Sequence, residues 1–237
     1  MPIRFRFRWI PFVAAVLAVA LGVALGQWQM RRAAAKEAIE LKLNARQSAP
    51  PLMVGAAPLA IDEAEYRRVQ VKGEFVRDWP VYLDNRPHQG VAGFYVLMPF
   101  RIAGSDMHVL VARGWVRRDQ ADRTKLPLIA TPAGQLEIQG VARRNPGHLL
   151  QLGRAEGLQP GAIVQNLDIA EFAQASALRM QPVLIEQTSA VPDGLVRDWP
   201  RPSSGVDKHL GYAFQWYALA ATALLFFIVT GFRRGTK

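Results

Sequence analysis

Two long stretches of apolar residues dominate the pattern of the chain, one near each end. The first covers residues 9–30 and the second residues 210–232, and neither contains Asp, Glu, Lys or Arg. A helix needs about 20 such residues to cross the hydrocarbon core of a bilayer. We therefore predict two transmembrane helices that flank one soluble domain. The predicted segments are an amino terminus at 1–8, a first helix at 9–30, a soluble domain at 31–208, a second helix at 209–232 and a carboxyl terminus at 233–237.

The first apolar stretch has a second interpretation, which is a cleaved signal peptide. Three arginines precede it, and Ala18-Val19-Ala20 resembles the small-residue cleavage site of such peptides. A retained helix is favoured because the apolar stretch continues well past Ala20 and small residues recur at every fourth position. This spacing lines one helix face with little bulk and predicts close packing against another helix. The predicted packing residues are Ala14, Ala18, Gly22 and Gly26.

Between the two helices, polar and apolar residues alternate over short segments. Val69 and Val71 alternate with polar neighbours, as do Leu136 and Ile138. Such alternation is typical of strands with one buried face. Residues 102–106 separate two apolar segments and include a glycine, so they predict a hairpin loop.

Helical signals are fewer in this central part. Asp168 followed by Glu171 forms a capping box and predicts a helix that begins there. Residues 33–44 have helical composition and are expected to continue the first transmembrane helix as a polar stalk. The predicted fold is a membrane protein with two transmembrane α-helices flanking one mainly antiparallel β domain that holds at least one α-helix. The pattern leaves open whether this domain is a barrel or a sandwich.

The formal net charge of +10 at first suggests a nucleic-acid partner. However, eight of the 29 basic residues flank the two apolar stretches, and the remaining 21 face 19 acidic residues over residues 33–208. Sequence-independent binding of nucleic acid needs many cations on one face, so this balance argues against it. The eight flanking residues are Arg4, Arg6, Arg8, Arg31, Arg32, Arg233, Arg234 and Lys237.

The positions of these cations predict the orientation in the lipid bilayer. Short basic ends next to transmembrane helices tend to stay in the cytoplasm, and both ends of this chain are short and basic. The soluble domain is then external. Because the amino terminus has no Ser-rich transit peptide, we expect a bacterial inner membrane with the domain in the periplasm.

Motifs of the common catalytic and metal sites are absent from the sequence. There is no cysteine, which excludes thiol chemistry and c-type haem attachment, and no H-E-x-x-H or G-x-S-x-G motif. A zinc site would need three of the four dispersed histidines to converge. We therefore expect neither catalytic residues nor a metal-ion site. The histidines are His88, His108, His148 and His209.

Five segments together resemble the surfeit locus protein one family, here called Surf-one. The resemblance spans nearly the whole chain, although Ala112 and Asp207 stand where the family usually has asparagine. The segments are LGQWQMRR at 25–32, EYRRVQVKGEF at 65–75, GFYVLMPF at 93–100, VLVARGWVRRD at 109–119 and HLGYAFQWYALA at 209–220.

This resemblance implies a role in the assembly of cytochrome c oxidase. Some bacterial members bind haem a near the second helix, and the histidine and tryptophan that they use match His209 and Trp216 here. The implied partners are the catalytic subunit of a haem–copper oxidase and the machinery that synthesises haem, in addition to the lipid bilayer.

The residues themselves place such a site at one membrane boundary. Because the soluble domain joins the two helices, the end of the first and the start of the second must meet in the same leaflet. A neutral imidazole there can bind iron, and Arg31 and Arg32 can pair with propionates, with Trp28 and Tyr212 as supporting side chains. The same residue types also serve as interfacial anchors that need no ligand.

Three classes of function follow from these observations. The first is an assembly factor that binds haem a and assists its delivery to, or retention in, the oxidase. The second is a membrane chaperone of an oxidase subunit that does not bind haem, and the third is a membrane-tethered periplasmic enzyme. A visible spectrum of protein purified from cells that make haem a discriminates between the first two. A Ser, His and carboxylate within hydrogen-bond reach would favour the third.

Overall fold

The computed structural model describes residues 3–5, 7–150, 157–200 and 205–234, and of residues 3–5, 233 and 234 it describes the backbone alone. Among the flanking cations, Arg6 and Lys237 lie outside these residues. The chain divides into two compact units, one formed by Met1–Leu43 with Pro202–Lys237 and the other by Asn44–Arg201. In chain order the elements are β1 (Ile3–Phe5), α1 (Trp9–Ser48), β2 (Leu52–Met53), α2 (Ile61–Ala64), β3 (Arg68–Phe75), β4 (Val81–Leu83), β5 (Gly93–Ile102), β6 (Met107–Arg117), β7 (Leu136–Arg143), β8 (Ile163–Val164), α3 (Ile169–Ser176), β9 (Arg179–Gln187), α4 (Val206–Gly231) and β10 (Phe232–Arg234).

The first unit is an antiparallel pair of long helices, α1 and α4. Both are long and apolar enough to cross a membrane. Their outer faces leave large apolar side chains uncovered, such as Leu21 on α1 and Phe226 on α4, as lipid-facing helices do. At the end of the helix pair that carries the two chain termini, β1 and β10 form a short antiparallel ladder. The structure thus has the two terminal helices that the sequence predicts, and α1 continues through the expected polar stalk to Ser48.

The second unit contains a closed β-barrel. Its strands follow the order β3, β7, β9, β6 and β5, and the ring closes where β3 pairs again with β5. At this closure Gly73 lies opposite Ile102, and Phe75 opposite Phe100. A Cβ atom at Gly73 would overlap the carbonyl oxygen of Arg101, so glycine permits the close approach. The domain is therefore a barrel, and most of its strand pairs are antiparallel, whereas β6 and β9 are parallel.

Strand β6 is buried on both faces. Val109 and Val111 pack with the barrel interior, whereas Leu110 and Ala112 pack with a second apolar cluster that includes residues of β4 and α3. Because side chains alternate along a strand, one segment joins both clusters. This explains why β6 is almost continuously apolar and lacks the simple alternation of β3, whose Val69 and Val71 face the interior.

Local signals for the hairpin and the soluble helix are confirmed. β5 ends at Ile102 and β6 begins at Met107, and Gly104 between them has a φ of 71°. Asp168 is the N-cap of α3, and its carboxylate accepts hydrogen bonds from the amides of Ala170 and Glu171. Phe172 then anchors the helix in the second apolar cluster.

A buried ion pair lies at one end of the barrel interior. Arg113 continues the inward-facing series of β6 and is fully buried, and its Nη2 lies 2.9 Å from Oδ2 of Asp193. Asp193 also pairs with Arg197 at 2.6 Å. The Arg113 guanidinium stacks on the Phe75 ring and donates to the hydroxyl of Thr131. These partners offset much of the cost of removing a cation from water.

Candidate functional site

The contacts between α1 and α4 follow one line of residues on each helix. On α1, Gly22, Gly26, Gln29 and Ala33 are buried. On α4, Ala213 and Ala220 are buried, and His209 and Trp216 are partly buried. Spacings that alternate between three and four residues are typical of left-handed helix packing.

The four small residues of the predicted packing face divide into two groups. A Cβ at Gly22 would lie 2.9 Å from Cβ of Ala220, and one at Gly26 would lie 2.5 Å from the Tyr217 ring. Ala14 and Ala18, in contrast, are exposed, which differs from the prediction. The reason is geometric, because a strict four-residue spacing drifts around a helix with 3.6 residues per turn. The contact line instead continues through the partly buried Ala15 and Val19.

Substituting isoleucine for Gly22 is expected to weaken the helix pair by about 1 to 2 kcal/mol, because the new side chain meets α4 backbone as well as Ala220. Gly26→Ile should cost less, since the Tyr217 ring can rotate. Gly211→Ile is the matched control, because a Cβ there has no neighbour within 4 Å. Association of separately expressed helices in detergent measures the effect. Equal behaviour of all three variants would show that Gly22 does not lie at an interface.

At the end of the helix pair toward the soluble-domain connections, His209 contacts Gln29. Nδ1 of His209 lies 2.7 Å from Oε1 of Gln29. An amide oxygen only accepts hydrogen bonds, so the imidazole Nδ1–H donates. The other ring nitrogen, Nε2, has no hydrogen-bond partner among the residues that the structure describes. Metal-binding histidines are commonly oriented in this way by a second residue.

Four of the remaining candidate residues lie within about two helical turns of this contact. Trp216 is two turns from His209 on the same line of α4, and Tyr212 lies one turn away but is half exposed. On α1, the Arg32 guanidinium lies 5.5 Å from the Trp28 ring centroid, which keeps this cation close to Gln29.

Arg31, the last candidate, is exposed and has no ion pair among the described residues. Its positive charge lies next to Arg32 on α1, two residues from Gln29. The arrangement therefore offers an imidazole nitrogen, aromatic surfaces and two cations around one membrane boundary.

An apolar groove of about 480 Å³ lies on another part of the helix pair. It runs along α1 from Phe12 to Gln27 and is completed by Leu224 and Phe227 of α4. Neither His209 nor Trp216 lines this groove, so the two features are separate.

The zinc site considered from the sequence requires three metal ligands to lie close together. Across the described parts of the chain, no three His, Asp or Glu side chains come together in a way that could hold a metal ion. His108 is buried in β6, and burial lowers its pKa, whereas His88 packs against the Trp115 ring.

Sequence reasoning placed the polar helix ends together but did not single out Gln29 as the partner of His209. The signal available was the spacing of three and four residues that connects Gln29 to Gly22 and Gly26. Ala213 and Ala220 were missed for the same reason, since they extend the line of His209 and Trp216.

Comparison with known proteins gives a match over most of the chain. A family model described as the SURF1 family matches residues 16–221. A SURF1-like protein of Monosiga brevicollis is 28% identical over 233 residues, which cover 90% of this chain and 84% of that protein. Surfeit locus protein 1 of Homo sapiens is 27% identical over 256 residues, covering 97% and 78%. A SURF1-like protein of Rickettsia felis is 25% identical over 219 residues, covering 87% and 90%.

Proposed function

The chain belongs to the SURF1 family, and from this membership we propose that it is an assembly factor for a haem–copper oxidase that binds haem a through His209. In this function the haem is cargo, and the protein assists its delivery to, or its retention in, the catalytic subunit. The haem synthesis machinery is the proposed source. The two helices anchor the protein in a bacterial inner membrane with the β domain in the periplasm.

The hydrogen bond between His209 and Gln29 is the observation that carries the proposal. The Gln29 oxygen favours a proton on Nδ1, and a neutral imidazole with its proton there carries the lone pair on Nε2, where iron can bind. An interfacial anchor does not need this arrangement, because any polar contact at the boundary would satisfy it. The buried glutamine therefore supports a ligand role more strongly than the histidine alone.

The surrounding side chains fit the other parts of a haem. Trp216 offers an aromatic surface to the macrocycle or its apolar tail, deeper along α4 than His209. Arg31 and Arg32 can pair with the two propionates, because guanidinium groups bind carboxylates in a bidentate manner. Trp28 holds Arg32 by its ring, and Tyr212 adds a polar aromatic edge.

A visible spectrum of the purified wild-type protein tests the proposal. Cells that make haem a should yield protein with a ligated haem spectrum, and cells that lack haem a synthesis should yield colourless protein. If the protein supports oxidase assembly but is colourless in both cases, the haem-independent chaperone is the correct alternative.

Reporter fusions test the proposed orientation. A fusion after residue 237 should show cytoplasmic activity, because Arg233 and Arg234 hold that end inside the cell. A fusion truncated near Gly147, within the β domain, should show periplasmic activity. The reverse pattern would contradict the proposed topology.

A further inference from the structure

The barrel domain contains a second buried arginine, and no carboxylate among the described residues pairs with it. Arg86 is only 8% exposed, and its Nη2 donates to the carbonyl oxygens of Gly147 and Gln165 at 2.8 and 3.2 Å. Burial lowers the pKa of Arg86, and the Tyr95 side chain offsets part of this effect. Arg113, buried to a similar degree, is neutralised by Asp193. Among the described residues no such counter-ion faces Arg86.

Arg86 lines a cavity of about 350 Å³ together with two further arginines, Arg118 and Arg123. Asp84 is the one carboxylate in this lining, and it accepts from Arg118 at 3.1 Å. Arg123 is exposed and has no hydrogen bond or ion pair to any residue that the structure describes. Among the residues that the structure describes, the lining thus holds three cations and one anion, an excess of two positive charges.

Contacts within the chain fix the backbone around the cavity. Asn85 has a φ of 59°, a left-handed conformation that asparagine tolerates, and it turns the chain into Arg86. The indole Nε1 of Trp115 donates to the carbonyl oxygen of Arg86 at 2.7 Å. The Trp115 ring packs on Gly93, where a Cβ would overlap it. The amide of Arg118 bonds to the carbonyl of Ala92 at 3.2 Å, so both arginines belong to one fixed framework.

We propose that this cavity binds a small ligand that carries a doubly charged oxyanion group, such as a phosphate monoester. Guanidinium groups bind such oxygens with paired, charge-assisted hydrogen bonds. A dianion balances the two excess positive charges, and the cavity has the volume of a typical site for a small organic molecule. The site lies wholly within the barrel unit and is separate from His209.

Titration calorimetry of the full chain in non-ionic detergent tests the site, with inorganic phosphate and glycerol 3-phosphate as probes at constant ionic strength. We expect both dianions to bind, and acetate to bind much more weakly. Arg123→Gln should weaken phosphate binding about tenfold, because it removes one charge-assisted contact from an exposed side chain that no fold contact requires. Arg117→Gln is the matched control, since it removes the same charge from another exposed arginine, at the end of β6, that does not line the cavity.

A second variant increases the affinity if the site is real. Asp84→Asn removes the competing carboxylate and releases Arg118, so phosphate should bind several-fold more tightly. The proposal is wrong if phosphate binds no better than acetate, or if Arg117→Gln weakens binding as much as Arg123→Gln.

Nanodiscs distinguish a free ligand from a lipid headgroup. If nanodiscs that contain phosphatidic acid, whose headgroup is a phosphate monoester, abolish phosphate binding that phosphatidylcholine nanodiscs permit, the site takes a lipid phosphate. Equal binding in both means that it takes a free anion.

Discussion

Protein in which alanine replaces His209 is expected to insert and fold normally but to lose the spectrum of ligated haem. The side chain is partly buried, and its loss leaves the contacts of Gly22 and Gly26 with α4 unchanged. What disappears is the free Nε2 nitrogen, which we propose as the iron ligand. The measurement is the ratio of Soret absorbance to protein after purification from cells that make haem a. We expect this ratio to fall to the level of cells without haem a.

Two further variants distinguish loss of the iron ligand from general disturbance of the helices. Gln29→Leu keeps the histidine but removes the acceptor that orients it, so haem affinity should fall by about 10- to 100-fold. Trp216→Phe should shift or weaken the spectrum, because an aromatic surface remains but the indole N–H is lost.

Tyr212→Phe tests the most peripheral of the proposed haem contacts, since it keeps the ring and removes only the hydroxyl of an exposed side chain one turn from His209. Only a modest effect is expected there. An unchanged spectrum at full occupancy in His209→Ala would mean that another residue ligates the haem. In that case the interfacial-anchor interpretation of His209 would replace the ligand interpretation.

The sequence was sufficient for features that depend on neighbouring residues. Length and absence of charge predicted the two terminal helices, and Asp168 predicted the start of α3 because N-capping is a local hydrogen bond. Gly104 predicted the β5–β6 turn because glycine readily adopts its positive φ. Each of these signals lies within a few residues of the feature that it specifies.

Barrel closure could not be predicted in the same way. It depends on Gly73 meeting Ile102 and on β6 meeting β9 in parallel, with two strands and a helix between them in the chain. Alternation within one strand shows that a face is buried but not which strand lies beside it. A sandwich would bury the same faces, and for this reason the sequence left both folds open.

The helix-pair site was predictable to an intermediate degree. The seven-residue interval between His209 and Trp216 places both on one side of α4, and the structure has both on the line toward α1. The face of α1 that meets α4 is harder to predict, because Ala14 and Ala18 are small residues at the same spacing as Gly22 and Gly26. The pairing of Gln29 with His209 requires both helix rotations at once, which no single sequence pattern contains.

Asp193→Asn is expected to destabilise the barrel domain by about 3 to 5 kcal/mol. Arg113 is fully buried, and Asp193 is its one carboxylate partner among the described residues. Removing that negative charge leaves Arg113 without compensation and Arg197 with a weaker acceptor. A loss of this size is a large share of the 5 to 15 kcal/mol that stabilises a typical domain. Urea titration of the full chain in detergent, followed by the β-sheet circular dichroism signal, measures it.

A second substitution shows whether the lost charge balance is the cause. Adding Arg113→Met to Asp193→Asn removes the uncompensated cation and fills its space with an apolar side chain beside Phe75 and Met98. The double variant should recover at least half of the lost stability, because a buried ion pair often contributes little over an apolar replacement. Lys72→Ala, which breaks an exposed pair with Glu137 on the same barrel, should change the stability by less than about 1 kcal/mol. If the double variant is less stable than Asp193→Asn alone, the hydrogen bonds of Arg113 to Thr131 and Ala130 stabilise the barrel more than its charge destabilises it.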